Sequence, residues 1–176
     1  MKTEKTYTNG NISVSITILT EPMDKNIVGI ILSDCFADNI GLLLDDNPNG
    51  YDLASLQVNA DGKLPLILIE CKIYEMLQED ASEAEFIIFH ELGHYFNSDH
   101  KGLPEDYQAK REASIKKGEV FPMELKADDF AFGFLGKEKV VVGLEWLIKE
   151  EENKPETDED VIAELRLRLK HQTERQ

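Results

Sequence analysis

Cysteine is scarce in this chain. Only Cys35 and Cys71 occur among 176 residues, and each stands alone. Without a paired spacing they exclude a disulfide scaffold and a cysteine-built zinc cluster. In their apolar surroundings both are expected to be buried free thiols of a reducing compartment. Basic residues are also in deficit: 19 Lys and Arg stand against 35 Asp and Glu, a net charge of −16. So acidic a chain has no electrostatic means of holding nucleic acid or an anionic membrane, and the surplus acid reads as solubilising surface. No apolar run reaches the length that a bilayer span needs. Residues 1–10 carry lysines with no apolar run behind them, unlike a signal peptide. There is no internal repeat and no low-complexity tract. These absences leave the expectation of one cytoplasmic domain over residues 1–176.

What is present is concentrated in one stretch, Phe86-Ile87-Ile88-Phe89-His90-Glu91-Leu92-Gly93-His94-Tyr95-Phe96. Helix residues four apart share a face, so His90 and His94 can both reach one zinc ion at about 2.0–2.1 Å. Glu91 lies one step round the helix, where its carboxylate can touch a zinc-bound water. The pattern points to metal-assisted hydrolysis. The ion acidifies the water and polarises a carbonyl, and Glu91 takes the proton. Apart from Glu91, residues 87–96 are uncharged, as a buried metal helix requires. Upstream, Ser82-Glu83-Ala84-Glu85 has the form of a capping box. The Ser82 hydroxyl would accept from the Glu85 N–H while the Glu85 side chain reaches back.

A catalytic zinc takes three protein ligands and leaves one position open. Two candidates lie downstream. Glu124-Leu125-Lys126-Ala127-Asp128 sets two acids four apart on an expected helix that begins at Pro122. Alternatively, His90-Glu91-x-x-His94-x-x-Asn97-x-x-His100 has the metzincin spacing, with Asn97 where that group has glycine. Asparagine is the residue next most tolerant of positive φ. With the first candidate the chain resembles the gluzincin metallopeptidases, in which the His-Glu-x-x-His helix is followed by a helix bearing Glu-x-x-x-Asp. The resemblance implies that Glu124 is the third zinc ligand. It also implies that Asp128 accepts the ring N–H of His90 and fixes its tautomer. Ala127 suits a close approach of the two helices.

Over residues 64–152 the chain resembles the soluble core of the HtpX and CAAX-prenyl-protease group. That group is usually anchored by membrane helices, so the small soluble minigluzincins are the nearer comparison. The short linker before Glu124 also resembles ImmA/IrrE-type peptidases, which cleave repressors and usually have Asn at the position of Asp128.

The remaining pattern reads as an α+β, zincin-like fold: a small N-terminal, mainly antiparallel sheet, an active-site helix and a C-terminal helical part. Residues 1–81 are expected to hold strands and short helices, 82–152 the zinc-binding helices, and 153–176 a charged C-terminal helix. Ile12, Val14, Ile16 and Ile18 alternate with Ser13, Ser15 and Thr17, which predicts a half-buried strand. Residues 25–44 place apolar side chains at loosely helical spacing and predict one or two helices. Residues 45–50 read as a turn. Residues 53–59 and 63–70 predict a hairpin turning at Ala60-Asp61-Gly62. Pro65 puts its strand on the sheet edge, beside the metal, where an extended peptide could add. Residues 73–77 predict a short helix, and 97–121 a long connection able to carry a lid. The helix from Pro122 is expected to end at Gly136. An amphipathic helix follows over 138–152, and 161–169 forms a last helix docked on one side.

Motif and resemblance together imply a zinc metallopeptidase with Zn2+ as cofactor, a peptide or protein as substrate and Glu91 as general base. Two alternatives share the metal. One is a regulatory protease of the ImmA/IrrE type acting on a single repressor-like partner. The other is a zinc-binding protein with little turnover, against which Glu91 speaks: a structural site needs no base and closes its fourth position with His or Cys. Tyr95, His100, Tyr107 and Arg111 are the available donors for a transition-state oxyanion.

Overall fold

A computed structural model describes residues 2–23, 26–36, 39–45, 53–58, 65–99 and 106–175. Among them six strands form one sheet: β1 (Lys2–Asn9), β2 (Ile12–Leu19), β3 (Ile27–Ser33), β4 (Ile40–Leu44), β5 (Ala54–Gln57) and β6 (Leu66–Ile69). Their spatial order is β1-β2-β3-β4-β6-β5. Neighbours pair antiparallel except β4 and β6, which run parallel. Strand β2 follows its sequence pattern, with Val14, Ile16 and Ile18 buried. Strand β1 has little apolar content to announce it, yet it pairs with β2 from Lys2↔Leu19 to Asn9↔Ile12.

Residues 25–44 were expected to be helical, and their described part is β3 and β4 instead. The ladder between these strands shifts register between Ile27 and Gly29. That irregularity leaves Val28 and Ile31 both fully buried. An apolar spacing of three mimics one face of a helix, which is how a bulged strand passes for one. The hairpin of β5 and β6 forms as expected, in the register Ala54↔Ile69. Its placement differs. β6 lies between β4 and β5, so the strand after Pro65 is internal and β5 is the outer one. Pro65 precedes β6, where a missing N–H breaks no ladder bond, and its carbonyl accepts from the Gly41 N–H at 3.0 Å. The turns expected at 46–50 and 60–62 lie outside the described residues.

Five helices follow: α1 (Cys71–Gln78), α2 (Ser82–Phe96), α3 (Tyr107–Lys117), α4 (Pro122–Glu152) and α5 (Glu159–Glu174). Helix α3 occupies a stretch read as an open connection. Its sequence is polar on every side and none of its residues is buried, so no apolar stripe could signal it. Both cysteines are exposed rather than buried. Helix α2 packs along α4 with Phe86, Ile88, Phe89 and Leu92 fully buried. Each side chain of this size contributes about 1.5–3 kcal/mol when removed from water.

The expected capping box at Ser82 does not form: Ala81 is the N-cap and no side chain caps the helix. The Glu85 carboxylate is drawn elsewhere. It accepts from Lys5 Nζ at 2.8 Å and from Tyr7 Oη at 2.6 Å, and it also meets Lys139. Charge-assisted bonds to two lysines outcompete a single backbone N–H. Pro122 sits at the start of α4, as expected. Gly136, with φ 78° and ψ 170°, breaks the helical path there, and the helix resumes immediately beyond it. Among the described residues no helix is long and apolar enough to cross a membrane.

Candidate metal centre

Two helices build the centre because one glycine lets them touch. A Cβ on Gly93 would stand 2.6 Å from the Cα of Ala127, so α2 and α4 meet backbone to backbone. Ala127 is fully buried at this crossing. Glu124, one turn before Ala127, is thereby carried to the two histidines of α2. Ligand atoms of His90, His94 and Glu124 all lie within 4.8 Å of one another. His90 Nε2 is 3.1 Å from His94 Nε2 and 3.2 Å from Glu124 Oε2. His94 Nε2 is 3.8 Å from Glu124 Oε1.

Each imidazole is oriented by a carboxylate on its far side. His90 Nδ1–H donates to Asp128 Oδ1 at 2.9 Å, and His94 Nδ1–H donates to Asp99 Oδ2 at 3.0 Å. An ionised carboxylate only accepts, so Nδ1 of each ring carries a proton and both Nε2 atoms face inward. Asp128 has no exposure. Arg168, from α5, closes the network. Its Nε donates to Asp128 Oδ2 at 2.8 Å, one terminal nitrogen to Asp128 Oδ1 at 2.6 Å, and the other to Glu124 Oε2 at 3.2 Å. One buried guanidinium therefore holds both carboxylates of α4, in the forked geometry that arginine provides.

The charges act on one another. Burial and Arg168 depress the His90 pKa, but hydrogen bonds to Asp128 and Glu124 more than offset them and raise it to about 9. His94 moves down, pushed by burial and by His90 beside it. Burial opposes ionisation of Glu124, yet His90 and Arg168 hold it well below the usual carboxylate range. Asp128 is also held low against burial, chiefly by the Arg168 charge. Two inward imidazoles and a carboxylate that stays ionised are donors for a borderline divalent cation. Tetrahedral donors about 2.0–2.1 Å from an ion stand about 3.3 Å apart. The three contacts of 3.1, 3.2 and 3.8 Å bracket that spacing, so the residues fit a metal ion.

Glu91 does not join this set. Its Oε2 accepts from the Leu56 N–H of β5 at 3.0 Å, which ties the outer strand to the metal helix. Two cavities open here. One, of about 440 Å3, is lined by Ala54 to Leu56 of β5, the three metal-facing residues, Glu91, Tyr107 and Arg111. The other, of about 340 Å3, runs from His90 and Glu91 towards α5. Of the expected oxyanion donors, Tyr107 and Arg111 reach this region. Tyr95 instead packs its ring on Phe36 with centroids 5.1 Å apart. His100, the rival third ligand, lies outside the described residues.

Sequence reading missed Asp99, Arg168 and the Leu56 N–H. Asp99 lies just past the end of α2, where no motif marks it. Arg168 did leave a trace: Leu165, Arg168 and Gln172 follow one another at helical spacing and all are buried. A cation on a buried stripe signals an acidic partner across the interface. No protein family, no curated protein and no solved structure matches this chain, so its functional reading rests on the geometry of its own centre.

Proposed function

We propose that the protein is a zinc-dependent metallopeptidase with Glu91 as its general base, on a zincin-like fold. The observation that carries the reading is the convergence of His90, His94 and Glu124 beside a carboxylate on the same helix that is not one of the three donors. A merely structural ion has no use for that fourth group, and the cluster that could hold an ion contains no cysteine.

His90, His94 and Glu124 would hold the ion, and Asp128 and Asp99 keep the imidazoles turned to it. When bound, zinc supplies a Lewis acid that polarises a carbonyl and lowers the pKa of a coordinated water. Glu91 takes the proton of the attacking water and delivers it to the leaving amine nitrogen. Its hydrogen bond from Leu56 fixes the carboxylate against the strand. Tyr107 and Arg111 supply donors for the oxyanion from the facing helix. Arg111 is itself held by Glu164, to which its Nε donates at 2.8 Å. Strand β5 gives an extended peptide a backbone to pair with.

The test compares zinc-loaded wild type with Glu91→Gln on a broad peptide library read by mass spectrometry. Wild type should cleave, and the variant should bind the same zinc while losing activity by at least about a thousandfold, as base and water activation are lost together. Equal activity in both proteins would remove Glu91 from the chemistry. A library left intact by zinc-loaded wild type would remove the peptidase reading.

A further inference from the structure

We infer that the cavity on the α5 side of the metal centre is a recognition pocket for a long aliphatic side chain with a cationic end, a lysine or arginine next to the scissile bond. The inference rests on the peptidase reading and names the substrate class of that site. Both cavities share Ala54, His90 and Glu91, so the metal centre lies at their junction. A peptide crossing the centre along β5 places side chains in each direction. The α5-side cavity, at about 340 Å3, has room for one large side chain.

Leu53, Phe86, Leu147, Val161 and Leu165 form its apolar walls, interspersed with charged residues that include Lys154. The apolar walls suit methylene groups. Its charged groups are mostly committed. Arg168 is bound to Asp128 and Glu124, Glu150 to Lys72, and Glu151 to Lys154. Glu91 is the base. The exception is Glu70, at the junction of β6 and α1, which also lines the cavity. Its backbone is engaged, the N–H donating to Leu53 O at 3.1 Å, but among the described residues its side chain has no hydrogen bond or ion pair. A half-buried carboxylate beside apolar walls is matched by a cation on a flexible stem. An acidic substrate side chain would meet repulsion from the same group, and the net charge of −16 adds to it.

The experiment separates recognition from hydrolysis. Zinc-loaded Glu91→Gln is titrated by calorimetry with three otherwise identical, blocked peptides carrying one central lysine, norleucine or glutamate. Lysine should bind about tenfold tighter than norleucine, the worth of one charge-assisted hydrogen bond, and glutamate weakest. Adding Glu70→Gln or Glu70→Ala should bring lysine and norleucine to within about threefold of each other. Norleucine binding as well as lysine, or a lysine preference that survives both Glu70 variants, overturns the pocket. The lysine peptide is then offered to the zinc-loaded protein with Glu91 intact. Preference without cleavage sinks the peptidase reading and keeps the pocket. Cleavage without preference sinks the pocket alone.

Discussion

Helix α2 carries two buried ionic clusters that differ in their balance. Near its start, Glu85 is 3% exposed and is met by Lys5, Lys139 and the Tyr7 hydroxyl. Lys5 also meets Asp80 at 2.7 Å, so two cations stand against two carboxylates and nothing is left over. One and a half turns later, Glu124, Asp128 and Asp99 converge on His90 and His94 with Arg168 as the guanidinium that meets two of them. Here acid is in excess and three possible ligand atoms face one another. Burial alone therefore does not separate a structural ion cluster from a metal centre. The sign of what remains unmatched does: the first cluster is complete without a ligand, and the second could hold a cation.

The sharpest way to break that comparison is to remove a donor. His90→Ala or His94→Ala should lose stoichiometric zinc after dialysis against a chelator, read by atomic absorption. A full equivalent retained in the double variant would place the ion elsewhere. Glu124→Ala should weaken zinc strongly as well.

The next effect comes from behind the ligands. Asp128→Ala and Arg168→Met should each cost about ten- to a hundredfold in zinc affinity, because the imidazole and Glu124 lose what orients them. Arg168→Lys should recover only part, since an ammonium cannot span both carboxylates as the fork does. Full recovery by lysine in a chelator-competition assay would reduce Arg168 to a simple counter-charge.

A smaller effect belongs to the other cluster. Glu85→Gln should destabilise the protein by about 1–3 kcal/mol, less than a wholly buried pair because Lys5 and Lys139 are partly exposed. Its zinc affinity should be unchanged. Movement of both quantities together would show the two clusters to be one.

The smallest effect is in pH. Burial opposes ionisation of Glu85, but Lys139, Lys5 and Tyr7 lower its pKa below the ordinary 4.5. Its contribution to stability is present above that value and fades as pH falls through the lowered one. For His90 in the metal-free protein the sign reverses. Its contribution is complete below the ordinary 6.5 and fades as pH rises through about 9. Melting of the metal-free protein across pH should lose support at opposite ends, the acid end alone being flattened by Glu85→Gln. Zinc affinity should instead climb towards pH 9, as the ion displaces the His90 proton.

Local pattern carried much of this. Alternation announced β2, the Gly-containing turn announced the β5–β6 hairpin, and the spacing of His90 and His94 put both on one face of α2. Glu124 and Asp128 were visible by resemblance, four apart on a helix opened by Pro122. Each of these depends on residues within a turn or two of one another, where dihedral preference and periodicity suffice. The pattern misled where a bulge imitated helical spacing at Val28 and Ile31. It also misled where a capping box was written at Ser82 but Glu85 had stronger partners on β1 and α4.

The sequence by itself determined the shared face of His90 and His94 on α2, the helix that brings the third donor, and the acidic balance of the chain. Tertiary structure alone decided that Gly93 and Ala127 touch, that β5 rather than the Pro65 strand is the outer one, that Asp99 steadies His94, and that Arg168 reaches back 40 residues to Asp128. The reason is common to all four. They are contacts between elements, set by which faces become buried together, and no periodicity within one element records which partner its buried charge will meet.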